Sequence, residues 1–124
     1  MTFDTSPAAV VQRQLDAYNA RDIDALLATY AEDAQQFEHP GKPAARGHTE
    51  IRTRMAVRFQ EPNLHARLIQ RAVMGNIVID HEHVTRTFPG EGTGSVRMVA
   101  IYEVVDGKIQ SASVQVSDKQ LDAV

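Results

Sequence analysis

Behind Ser6-Pro7, which reads as an N-cap followed by proline in the first turn, Val11, Leu15 and Tyr18 recur at helical spacing. This stripe predicts a first helix that stops at Asn19-Ala20-Arg21-Asp22. Asp22 is placed to cap a second helix, whose apolar face is Ile23, Leu26, Leu27 and Tyr30, so the two form a short antiparallel pair. A brief extended segment from Gln35 to His39 follows, and Pro40-Gly41-Lys42-Pro43 reads as the loop that ends it. A third helix is predicted from Thr49 to Phe59. Ile51, Met55 and Phe59 lie along one side of it, while Arg52, Arg54 and Arg58 lie elsewhere and read as a solvated face.

The rest of the chain alternates in the manner of strands. Leu64 to Met74 and Ile77 to Phe88 flank a Gly75-Asn76 turn. A flexible loop runs from Pro89 to Gly94, and Ser95 to Val105 and Lys108 to Ser117 form a closing hairpin about Asp106-Gly107. Helices collected on one side of an antiparallel sheet define an α+β layer architecture. All 124 residues fit a single domain with an ordered core of about residues 7–117, and the polar tail after Ser117 is expected to fray.

Register in the closing hairpin follows from the face that must be buried. A two-residue Asp-Gly loop sets Arg97 against Val116 and mixes polar with apolar positions on both faces. A three-residue loop, Val105-Asp106-Gly107, sets Val96, Met98 and Ala100 against Val116, Val114 and Ala112 and gives one apolar face, so this register is expected. The opposite face is polar except for Val99 and Ile101, a candidate dimer surface.

Composition narrows the possibilities. A net charge of -3 gives no basic footprint for nucleic acid. Without cysteine there is no disulfide, thiolate metal site or Cys nucleophile, which fits a reducing cytosol. The start of the chain lacks a basic region followed by an apolar run, and no apolar stretch approaches the ~18 residues of a membrane span. A cytoplasmic protein without a membrane partner is expected.

The run VVQRQLDAYNARDIDALLATYAEDA, the closing DGKI and the order of elements resemble the nuclear transport factor 2-like superfamily, which includes SnoaL-like cyclases and ketosteroid isomerases. FEHPGK, the Gly-Asn turn before VIDHE, and AIYEV before DGKI resemble a bacterial branch labelled steroid isomerase-like. The resemblance covers about Pro7 to Val116. It implies a strongly curved sheet wrapped around three helices, a cone with an apolar pocket inside. At the isomerase's oxyanion-hole tyrosine this chain has Gln14, at its general-base aspartate Glu38, and at its second, protonated aspartate Ala100. An amide is a far weaker acid than a phenol, so an enolate would lack strong donors and efficient steroid isomerisation is not expected. Epoxide hydrolases of this fold use a buried Asp-Arg-Asp set. Arg97 is the arginine to test against it, but Val99 and Ile101 stand where carboxylates would be needed.

Two carboxylates are the candidate catalytic groups. By the resemblance, Glu38 lies where the family keeps its base; read from the residues alone, it is also a plain loop acid beside Pro40. His39 adjoins it, and strand alternation turns one of the two away. In VIDHEHV, Asp80, Glu82 and Val84 share one strand face, while His81 and His83 share the other. The histidine pair falls short of the roughly three or four ligands of a metal site, even with His65 on the neighbouring strand, so no metal is expected. The resemblance turns Glu82 into the cone. Arg71 then sits either outside beside His81 and His83 or, if the Gly75-Asn76 turn has two residues, opposite Asp80 as an ion pair. The expected pocket lining is Gln14 and Tyr18 on the first helix, Met55 and Phe59 on the third, and His39, Met98, Ala100, Tyr102 and Val114 on the strands. That inventory suits a small apolar molecule and a cofactor-free isomerisation, cyclisation or dehydration. A non-catalytic ligand-binding module, or a homodimer assembled through the sheet face, is the other reading.

Overall fold

The structure is a computed structural model that describes residues 4–122. Three helices, α1 (Pro7–Ala20), α2 (Ile23–Ala28) and α3 (Gly47–Arg58), pack on a curved sheet of β1 (Tyr30–Glu38), β2 (Lys42–Arg46), β3 (His65–Met74), β4 (Ile77–Phe88), β5 (Gly92–Val105), β6 (Lys108–Val116) and β7 (Gln120–Leu121). The strand order is β2-β1-β6-β5-β4-β3, with β7 beside β5. The sheet is mixed, not antiparallel as expected, because β1 runs parallel to β6. A chain that passes through α3 between its first and second hairpins re-enters the sheet at the far edge, and β6 then meets β1 in the same direction.

The α1–α2 junction follows its local chemistry. Arg21 closes α1 at φ 56, and the Asp22 carboxylate accepts the Ala25 N–H at 3.0 Å. Ser6 occupies the N-cap position of α1 but makes no side-chain cap. Asn19 ties the helix to β3, donating to the Ala66 carbonyl and accepting the Ala66 N–H, both at 2.8 Å. The two-way bond anchors the end of α1 to the sheet's β3 edge.

The expected loop after His39 is instead a hairpin. β1 starts at Tyr30, and β2 pairs with it, with Pro43 opposite Phe37. Proline is tolerated because β2 is the edge strand and needs no outward donor. The tail does not fray at Ser117 either: Gln120 and Leu121 pair with Ser95 and Gly94. Any Cβ at Gly94 would lie 2.4 Å from the Gln120 carbonyl oxygen, so this close approach requires glycine.

The closing hairpin takes neither expected register. Its loop has two residues, Asp106 at φ 51 and Gly107 at φ 75, with Val105 opposite Lys108. A bulge between Glu103 and Val104 then shifts the pairing, so Met98, Ala100 and Tyr102 face Val116, Val114 and Ala112. The apolar face survives, displaced by two residues along β5. The bulge reconciles the loop that Asp-Gly prefers with the face that the core needs.

On β3–β4 the Gly75-Asn76 turn has two residues, with Met74 opposite Ile77, and Arg71 lies opposite Asp80. The concave face of β4 is sealed: Val78, Asp80, Glu82 and Val84 are all buried. On the convex face Ile79 pairs with Ile101, next to Val99, and all three are more than a third exposed.

Candidate functional site

Between the helices and the concave sheet lies a cavity of about 430 Å³. Its floor is built from α1 and β5. Gln14, one turn before Tyr18, is buried, and its Oε1 accepts a 3.3 Å hydrogen bond from the Tyr102 hydroxyl. This is a long bond, so a ligand oxygen can compete for it. The Gln14 amide nitrogen has no protein acceptor among the described residues. Tyr30 accepts the Gln36 amide at 3.3 Å. Burial pushes the Tyr30 hydroxyl up to about 12 and Tyr102 well above 10, so both stay protonated donors at neutral pH. Tyr18 meets Phe59 edge-on at 5.5 Å, and burial also raises its hydroxyl.

The expected lining residues divide into three groups. Gln14, Tyr18, Met55, Met98, Tyr102 and Val114 are on the wall, and Glu38 and His39 lie at its exposed rim. Phe59 stands behind Tyr18, and Ala100 is buried in the core next to the wall strands. Glu38 ends β1, where strand cover runs out. Its side chain is 57% exposed and sits 3.6 Å from Lys42 Nζ, a geometry that gives little desolvation.

Glu82 has the opposite surroundings. It is 2% exposed, lies directly across from Met98 of the wall, and accepts no hydrogen bond among the described residues. It is not itself on the wall. Burial first, and the neighbouring Asp80 charge second, push its carboxyl up to about 7, against a smaller opposing pull from Arg71. Its charge is felt by Tyr30 and Tyr102, both on the wall. Asp80, one position along the same face, is fully buried and held by two parallel bonds from Arg71, 2.7 and 2.9 Å long. Arg71 also donates to Gln12 of α1 at 2.9 Å. The arginine beside the buried acids is therefore Arg71, not Arg97, which lies exposed on β5 opposite His83.

The reading of the third-helix arginines as a solvated face holds for Arg52 but not for its neighbours. Arg52 is exposed and pairs with Asp24, whereas Arg54 and Arg58 reach the cavity wall together with Arg86 of β4. Arg54 donates to Gln36 at 2.8 Å. Arg86 forms a two-pronged pair with Glu61 at 2.7 and 2.8 Å, and Arg58 approaches the same carboxylate at 3.5 Å. Arg54 and Arg58 are one turn apart and flank the Ile51–Met55 stripe, a spacing equally compatible with a solvated face.

No three His, Cys, Asp or Glu side chains come together as a metal site among the described residues. His83 lies opposite Arg67, and His65 opposite Thr85. Among the described residues no helix is long and apolar enough to cross a membrane.

The fold is shared with several solved structures. An uncharacterised cystatin-fold protein from Novosphingobium aromaticivorans superposes with a TM-score of 0.82 at 26% identity, covering 88% of this chain and 97% of that one. A putative polyketide cyclase from Sinorhizobium meliloti gives 0.72 at 24% identity, covering 86% and 93%. A putative SnoaL-like polyketide cyclase from Jannaschia gives 0.77 at 19% identity, covering 94% and 89%. No curated protein matches the chain. The model of the SnoaL-like domain matches residues 11–112, most of the sequence, and the chain belongs to that family.

Proposed function

We propose that the cone binds a small, largely apolar carbonyl compound and moves a proton on it without a cofactor, with Glu82 as the proton carrier. The observation that carries this reading is Glu82 itself: a buried carboxyl without a hydrogen-bond partner, on the face that forms the cavity, ionising near neutral pH. An acid–base catalyst is most effective when its pKa lies near the working pH. In the step envisaged, the Glu82 carboxylate takes a proton from the carbon next to the ligand carbonyl. The electron pair moves onto the carbonyl oxygen, which accepts from the Gln14 amide and the Tyr102 hydroxyl. The neutral carboxyl then returns the proton to a second carbon. Met98, unbranched and only partly buried, is the wall residue paired with Glu82, and its rearrangement is the route by which a ligand would reach the carboxyl. Weak floor donors suit an activated carbonyl, such as a β-dicarbonyl, better than a simple ketone. Cyclisation and dehydration use the same groups, and two of the similar folds are described as putative polyketide cyclases.

The test is a panel of cyclic ketones, lactones and epoxides offered to wild type, Glu82→Gln and Glu38→Gln. Turnover lost in Glu82→Gln and kept in Glu38→Gln supports the assignment. Turnover that survives Glu82→Gln removes Glu82 from the mechanism. A non-catalytic ligand-binding module is the second reading, favoured by the exposure of Glu38 at the family's base position. Ligand-dependent thermal shifts without turnover of any panel member support it.

The convex aliphatics Ile79, Val99 and Ile101 give the same chain an exposed apolar surface, and we infer a homodimer through that sheet face. A cytoplasmic setting fits a protein without cysteine.

A further inference from the structure

We propose that the cavity selects a small apolar molecule bearing one carboxylate, and that Arg54 holds it; this rests on the cavity-binding reading above. The argument starts from how charge is distributed around the wall. Of the three arginines on it, Arg58 and Arg86 share Glu61, which already accepts both prongs from Arg86 and the Thr87 N–H. Arg54 forms no ion pair among the described residues, and its guanidinium has one neutral partner, the Gln36 carbonyl oxygen at 2.8 Å. Gln36 is buried and is itself held by Tyr30, so this contact fixes where the guanidinium points. Glu38 attracts Arg54 only at longer range and is bridged to Lys42.

A half-buried guanidinium cannot shed its proton, so the desolvation penalty stays with the folded protein. Burial and the neighbouring Arg58 both work against the charge on Arg54. An anion entering the cavity relieves both effects at once. A guanidinium with a free edge matches one carboxylate through two parallel bonds. Tyr18, Met55 and Val114 supply the apolar surface for the rest of the molecule. Cation and proton carrier thus attach to different parts of the ligand: Arg54 fixes its acid end, and the carbonyl end reaches the Gln14–Tyr102 floor.

The test compares 2-naphthoate with 2-naphthamide, equal in shape and different in charge, by isothermal titration calorimetry. Wild type should bind the acid at least ~10-fold more tightly, the effect of a single charge-assisted contact. Arg54→Met should remove that preference while still binding the amide. Gln36→Glu, which supplies Arg54 with an internal carboxylate, should remove it too and serves as the second variant if Arg54→Met does not fold. Equal binding of acid and amide to wild type overturns the inference and leaves the cavity-binding reading standing. A preference that persists in both variants overturns the assignment to Arg54. If neither probe binds, the inference and the cavity-binding reading fall together.

Discussion

Arg71 reaches straight across from β3 to β4 and grips Asp80 with two parallel hydrogen bonds, 2.7 and 2.9 Å long, in the layer that also holds Glu82. The pair gives one buried acid a charged partner and leaves the next without a direct one. Asp80 has both carboxylate oxygens bonded by the fork, while Glu82, lacking it, is left to titrate near neutrality.

Breaking this pair from one side should be severe. Arg71→Met strands the Asp80 carboxylate and is expected to lower stability by about 3–5 kcal/mol in urea unfolding. The double variant Arg71→Met/Asp80→Leu should recover most of that loss, because no buried charge is then left alone. A double variant as unstable as the single one would mean that the pair is needed for shape and not for charge balance.

Glu82 gives a pH signature. Its folded pKa of about 7 is above that of an unfolded glutamate, so its stabilising contribution is complete below about pH 4.5 and is lost as pH rises towards 7. The loss amounts to roughly 3 kcal/mol for a buried group with this shift. Glu82→Gln should therefore match wild type near pH 4.5 and exceed it in stability at pH 8. Denaturation curves at the two pH values check this, and a variant equally stable or weaker at pH 8 would show that Glu82 is not held neutral by burial.

The convex sheet face makes a separate prediction. Ile101→Glu sets a charge opposite Ile79 at the centre of the exposed aliphatic patch. Sedimentation should report a dimer for wild type and a monomer for the variant, with the fold intact by circular dichroism. A wild-type monomer, or a dimer unaffected by the change, would place self-association elsewhere or nowhere.

Strand β4 shows what was legible in the sequence. Its bounds, Ile77 to Phe88, and the shared face of Asp80 and Glu82 followed from alternation, while the resemblance supplied which face turns inward. The hairpin after it was legible in face but not in register, because the bulge at Glu103–Val104 carries no residue signature. β2 was hidden by Pro43 and Gly41, which mark turns as readily as edge strands. At the site, the resemblance located Glu38 at the family's base position and the residues alone also allowed a plain acid beside Pro40; its exposure, which separates the two, is set by packing and not by local sequence. Arg54 and Arg58 were missed for a related reason. A guanidinium facing a polar cavity and one facing bulk water look alike in periodicity, and only the fold tells the two apart.

The most direct measurement is proton exchange on a bound ligand, because it detects the proposed step whatever product follows. 2-Tetralone incubated with the protein in deuterated buffer exchanges its α-protons, and the loss of their NMR signals gives the rate. Wild type should accelerate the exchange, with a rate that rises as pH passes through about 7 and levels above it, while Glu82→Gln stays at the background rate. Equal rates for wild type and Glu82→Gln, or no acceleration by wild type at any pH, would contradict the claim that Glu82 moves a proton in this cone.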